Sequence, residues 1–273
     1  MITFPNAKIN LGLNIVSRRP DGYHNIETVF YPIPLTDSLE IVPAEGTEST
    51  LTCYGRVVDC PTEKNLVMKA YRMMEKEFGL PPVDIYLVKH IPDGAGLGGG
   101  SSDASFCMKM LNDMFKLGCT EEQLAKMASK IGADCPFFIH NKPMMATGIG
   151  DEFTPTDVCL KGKHMLLVKP DVSVPTKAAY AQVTPAPSAK PIPEILSDGM
   201  ENWQKELVND FEKSVFAQYP SLAEIKRTLL ESGASYAAMS GSGSSIFGIF
   251  SCAEMAEKAA DHFKEYSHFV IQL

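Results

Sequence analysis

Residues 94–105 read GAGLGGGSSDAS, a run that gathers glycine, two adjacent hydroxyls and an acid. Gly94-x-Gly96-x-x-Gly99 has the spacing of a dinucleotide fingerprint. Gly94-x-x-x-x-Gly99-Gly100-Ser101 has that of a phosphate loop whose lysine is a glycine. The dinucleotide pattern needs a strand–helix–strand setting with an acid at the end of the second strand. Here the helix after the loop leads into another helix, and Asp113, at about the right distance, falls inside the first. A flexible linker is the plain alternative, but the run stands directly between a strand and an amphipathic helix. That is where free backbone N–H groups at a helix start attract an anion. Ser101 and Ser102 could add hydroxyls to a phosphate or to magnesium.

Three further groups could carry chemistry. Lys8 and Asn10 lie on the polar side of the alternating strand AKINLGLNI, about 7 Å apart; alone, that pattern describes a solvated edge. Asp134 follows a helix and precedes Pro136 by two residues, so it could cap the CPFFI segment. Tyr23 and His24 follow a turn at Asp21–Gly22, and Gly241 to Ser244 could be no more than a hairpin turn. The other histidines (90, 140, 164, 262 and 268) join no motif and read as surface or filler.

The positioning elements follow from periodicity. Ile9, Leu11, Leu13 and Ile15 share one face of the first strand, and DGYHNIETVFYPI supplies a second strand. NLVMKAYRMMEKEFG places Leu66, Tyr71 and Met74 at helical intervals and stops at Gly79. VDIYLVKHI is a strand leading into the glycine loop, and SSDASFCMKMLNDMF a helix with Phe106, Met110 and Met114 on one stripe. In TEEQLAKMASKIGADCPFF, Thr120 and Gln123 form a capping box; Leu124, Met127, Ala128 and Ile131 make the buried stripe, and Gly132 ends the helix. Residues 183–193 are proline-rich and read as a surface loop. HMLLVKP is a strand, helical segments surround Trp203 and Leu222–Leu230, SYAAMSGSGSSIFGIF is a strand pair about a glycine-serine turn, and a helix and the strand HFVIQL follow. Without strict strand–helix alternation the fold class is α+β, divided as 1–152 and 153–273.

A chain of 273 residues with a formal charge of -8 argues against nucleic acid or an anionic membrane as partner. Seven cysteines, an odd and scattered set without CxxC, fit a reducing cytoplasm better than a disulfide framework. No cluster suggests a metal site, and no leader or stretch of about 20 apolar residues is present. A soluble cytoplasmic protein, monomer or weak homodimer, is expected.

PDGAGLGGGSSDA, PNAKINLGLNI and AMSGSGSSIFGIF, in that setting and chain order, together resemble the GHMP kinases, the superfamily of galactokinase, homoserine kinase and mevalonate kinase. AKINLGLNIVSRRPDGYHNIETVF and IGADCPFF are similar to the branch that phosphorylates the 2-hydroxyl of a cytidylyl methylerythritol in non-mevalonate isoprenoid synthesis. The resemblance implies a two-domain fold with the active site in the interdomain cleft, ATP and Mg2+ as cofactors, and a small-molecule substrate. It makes Lys8 and Asp134 catalytic. It assigns Pro92, Gly94, Ala95, Gly96, Leu97, Gly98, Gly99, Gly100, Ser101 and Ser102 to the nucleotide phosphates, with Asn65 and Lys89 toward adenosine. Asn10, Tyr23, His24, Thr176, Tyr180, Gly241, Ser242 and Gly243 would meet the cytidylyl substrate. Two residues depart from the relatives. Asp93 puts a negative charge beside the loop and should weaken nucleotide binding unless it points to solvent, and Cys135 stands where an aliphatic residue is usual. Another GHMP small-alcohol kinase, or a nucleotide-binding regulator without catalysis, remain as alternative readings.

Overall fold

The computed structural model describes residues 1–57 and 60–273. The chain forms two compact units, each assembled from separated segments. The first contains residues 1–7, 35–93 and 98–142; the second contains 8–34, 94–97 and 143–273.

In the first unit, a four-stranded sheet has the order Ile2–Thr3, Ser38–Pro43, Val83–Lys89, Thr50–Gly55. The last pair is parallel, which requires a crossover. Helix Leu66–Phe78 lies on that connection, started by Asn65, whose side chain accepts from Val67 N–H, and ended by Gly79 at φ 65°. The strand Val83–Lys89 turns Val83, Ile85 and Leu87 inward. Helix Gly99–Met114 buries Ala104, Cys107, Met108 and Leu111 against the same core as Tyr71 and Met74. Glu121–Ala128 carries the expected Thr120–Gln123 box. It ends at Ala128, four residues before Gly132. The N–H groups of Lys130 and Ile131 donate to carbonyls three residues back, so the chain tightens into a turn there. Helix Cys135–His140 then begins at Asp134.

In the second unit, His164–Lys169 is flanked by Ile246–Phe250 and Ser267–Gln272, with Tyr236–Met239 beyond Ile246–Phe250, all antiparallel. The expected strand pair about the glycine-serine turn is therefore present. Every residue of Tyr236–Met239 and of Ile246–Phe250 is buried, and Leu222, Ile225 and Leu229 of helix Pro220–Glu231 belong to that core. A second sheet has the order Asn6–Arg18, His24–Thr36, Met144–Thr147, Glu152–Pro155. Residues 183–191 form no regular element, but the loop is pinned: Ala186 N–H donates to Ile15 O at 3.0 Å and Ser188 Oγ to Glu27 at 2.9 Å. Ile192 opens the short helix Ile192–Ser197, with a proline in its first turn, where proline's missing N–H costs nothing.

The first strand departs from simple alternation. Ala7 to Leu13 are all buried, so its polar side is not a solvated edge. Burying Lys8 and Asn10 is tolerable only because their polar atoms find partners. Among the described residues, no helix is long and apolar enough to cross a membrane.

Candidate active site

The glycine loop is built by conformations that other residues rarely adopt. Gly94, Gly96 and Gly98 have φ of 58°, 76° and 71°, the left-handed region that glycine enters without steric cost. At Gly96 there is also no room: a Cβ would sit 2.0 Å from the carbonyl oxygen of Ser240. Gly98 starts helix Gly99–Met114, and no side chain caps the helix. The first N–H groups of a helix have no intrahelical acceptor, which leaves the turn of Gly99, Gly100 and Ser101 as the anion-attracting end. Ser102 in the next position is fully buried, and its Oγ has no hydrogen-bond partner among the described residues. A buried hydroxyl without a partner costs about 1–3 kcal/mol. An incoming phosphate oxygen or hydrated cation is the kind of group that would satisfy it. Ala95 and Leu97 anchor the loop, both buried. Leu97 O accepts from Lys8 N–H at 3.0 Å, and Ala95 O accepts from Ser245 N–H at 3.3 Å. Pro92 is buried and Asp93 is exposed, so the acid is solvated.

Lys8 and Asn10 form the start of a buried relay. Lys8 Nζ donates to Asn10 Oδ1 at 2.7 Å and lies 4.7 Å over the Phe30 ring. Asn10 Nδ2 donates to Thr28 Oγ1 at 2.9 Å, and Thr28 Oγ1 to Gly12 O at 2.5 Å. The relay fixes the orientation of the Asn10 amide and holds the ammonium in place. Thr28 was not legible as a site residue, since nothing near it in sequence marks it.

Asp134 occupies the cap position of Cys135–His140 but makes no side-chain cap bond, so capping does not account for it. Next to it, Cys135 is buried, and its thiol is pushed up to about 11, chiefly by burial and further by the charge of Asp134, with hydrogen bonds from Ser101 and Ser105 pulling it back. A neutral thiol fills the place of a small aliphatic side chain.

Asn65 and Lys89 share a cavity of about 200 Å³ with Leu66, Leu87, Gly100 and Asp103. Asn65 is engaged as the helix cap. Lys89 is buried and ion-paired with Asp37 and, at 2.6 Å, with Asp103. Burial opposes its charge, but Asp103 and Asp37 outweigh that and hold the ammonium above the usual lysine range. Sequence reasoning missed both acids. Asp103 was visible as the acid closing the glycine run, whereas Asp37 lies 52 positions from Lys89.

The second loop is held from below by Asn209, also missed. Its Nδ2 donates to the carbonyls of Met239 and Gly241, each at 2.8 Å, and its Oδ1 accepts from Phe211 N–H. Gly241 and Gly243 have φ of 56° and 91°, and Ser242 Oγ lies 3.2 Å from Thr176 Oγ1. The rings of His24 and Tyr180 stack at 5.0 Å with an interplanar angle of 17°. Tyr23 stands apart, 62% exposed. Among the described residues, no three His, Cys, Asp or Glu side chains gather to hold a metal ion.

The chain matches the profile of the GHMP kinases N terminal domain over residues 65–142 and that of the GHMP kinases C terminal domain over 189–268. It is 55% identical over 269 residues to the 4-diphosphocytidyl-2-C-methyl-D-erythritol kinase of Parabacteroides distasonis, covering 98% of this chain and 96% of that protein. A solved 4-(cytidine 5'-diphospho)-2C-methyl-D-erythritol kinase superposes with a TM-score of 0.85 at 31% identity, covering 99% and 98% of the two chains. The mevalonate kinase of Methanococcus jannaschii, 15% identical, shares the fold with a TM-score of 0.75 over 100% of this chain and 98% of that one.

Proposed function

The chain belongs to the GHMP kinases, and we propose that it transfers the γ-phosphoryl group of ATP to the 2-hydroxyl of 4-diphosphocytidyl-2-C-methyl-D-erythritol. The carrying observation is the end-to-end match to curated kinases of that name. The hydroxyl oxygen bonds to the γ-phosphorus as the bond to the β–γ bridging oxygen breaks, and no phosphoenzyme forms. Asp134 accepts the hydroxyl proton. Lys8 offsets charge that grows on the transferring group, a role with most effect in a water-poor site. The backbone of Gly94 to Ser102 and Pro92 cradles the ATP phosphates, with Asn65 and Lys89 toward the adenosine. The helix dipole adds only about 0.3–1 kcal/mol per interaction, so fixed cations must contribute. Magnesium, bound with the nucleotide, supplies charge neutralisation, and Ser101 and the partnerless Ser102 are the hydroxyls that would hold it. Asn10, Thr176, Gly241, Ser242 and Gly243 belong to the acceptor substrate, and Tyr23, His24 and Tyr180 to its cytosine ring.

We read 1–152 and 153–273 as the N- and C-terminal domains, in keeping with the reach of the two family profiles. A monomer or weak homodimer in the cytoplasm completes the proposal; the scattered cysteines support the reducing compartment alone.

The test is direct. Purified protein is incubated with ATP, magnesium and separate acceptors: the cytidylyl substrate, free methylerythritol, mevalonate and homoserine. ADP release with the cytidylyl substrate alone is expected. Turnover of mevalonate or homoserine without turnover of the cytidylyl compound would replace the proposal with another small-alcohol kinase.

A further inference from the structure

A buried cluster of two acids and one base lies at the foot of the glycine-loop helix. Asp37 is 0% exposed, Lys89 4% and Asp103 1%. Asp37 Oδ1 accepts from the N–H groups of His90 at 2.6 Å and Ile91 at 2.8 Å, the two residues that leave the strand toward the loop. Its Oδ2 takes Lys89, and Lys89 Nζ also donates to Asp103 Oδ2 in the helix's second turn. The ammonium is close beneath the helix start: a Cβ on Gly99 would lie 3.3 Å from Lys89 Nζ and 2.9 Å from Ile91 Cγ2. One chain of bonds therefore joins strand end, loop entry and helix. Clusters of this kind rarely add net stability, because desolvation offsets the attraction, and apolar packing often does as well. The position of the cluster suggests that it serves geometry and charge.

We propose that Asp103 is a positioning residue of the nucleotide site: paired with Lys89, and through it with Asp37, it locks the first turns of the glycine-loop helix onto the strand that precedes the loop. The proposal rests on reading that loop as the nucleotide phosphate site. Without the Asp103 carboxylate, Lys89 keeps Asp37 as its partner, and the helix loses its tie to the end of the strand.

The experiment compares wild type, Asp103→Ala and Asp103→Asn for ATP dissociation constant by calorimetry, kcat, and thermal stability. Asparagine can still accept from Lys89, and alanine cannot. Alanine should weaken ATP binding about tenfold or more with kcat nearly unchanged, and asparagine should rescue it. If Asp103→Ala does not fold, Asp103→Leu, close to aspartate in size and unable to accept from Lys89, takes its place. Wild-type ATP affinity that neither variant changes overturns the positioning role and leaves the nucleotide reading standing. A wild type that fails to bind ATP overturns both.

Discussion

The hydroxyl of Ser240 donates to the carbonyl of Gly96 at 2.8 Å, and Gly96 in turn leaves no space between its Cα and the Ser240 carbonyl. Two glycine-rich segments 144 residues apart in sequence are fitted together at this contact.

Gly96→Ala should therefore do more damage than Gly94→Ala. Both positions have positive φ, which costs a non-glycine residue about 1–2 kcal/mol. A Cβ on Gly94 meets nothing within 4 Å, whereas on Gly96 it would overlap a backbone oxygen at 2.0 Å. Thermal unfolding and ATP calorimetry on the two variants should show a modest loss for Gly94→Ala. For Gly96→Ala, both stability and binding should fall clearly. Equal behaviour of the pair would mean that the Ser240 contact does not shape the loop.

Asp134→Asn keeps the side chain's shape and removes the proposed base. Turnover should fall by roughly 10²–10⁴, with ATP affinity nearly unchanged. Near-normal ADP release in the variant would exclude a catalytic role.

Lys8→Met removes the donor to Asn10 Oδ1, and Asn10 is only 2% exposed. An orphaned buried acceptor costs about 1–3 kcal/mol, so the variant should be measurably less stable. Its kinetic signature separates the two roles. If Lys8 balances charge that grows in the transition state, kcat falls more than KM rises. A rise in KM alone would make Lys8 a binding residue.

What could be read from sequence was whatever is local. The Thr120–Gln123 box, the Gly79 stop and the strands either side of residues 240–245 depend on neighbours a few positions apart, and they stand where expected. The Lys8 strand was ambiguous because alternation reports polarity, not what covers the polar face; Thr28, Phe30 and Leu97 do that from distant segments. Asn65 shows the reverse: its cap bond to Val67 is local and open to reading from the sequence, beside the adenosine-side role that the resemblance implies. Asp37 and Asn209 act through backbone groups 53 and 30 residues away, and no short pattern marks such a partner.

The last prediction concerns the acceptor's base. His24 lies flat against Tyr180 at 5.0 Å, and Phe211 meets Tyr180 edge-on at 4.8 Å. A pyrimidine seeking the Tyr180 face that His24 covers must take the place of the imidazole, which then becomes free to hydrogen-bond the base. Stacking on an aromatic ring is worth about 1–3 kcal/mol per base. Tyr180→Ala should weaken the cytidylyl substrate about tenfold or more and leave ATP affinity unchanged. Alanine also removes an edge contact from buried Phe211, so Tyr180→Phe serves as the control: it keeps the ring and should stay close to wild type. Free methylerythritol, which has no base to stack, should be a very poor acceptor in every variant. The measurement is the pair of specificity constants, kcat/KM for the cytidylyl substrate and for free methylerythritol. If the two constants match in the wild type, or if Tyr180→Ala lowers both equally, Tyr180 does not bind the base.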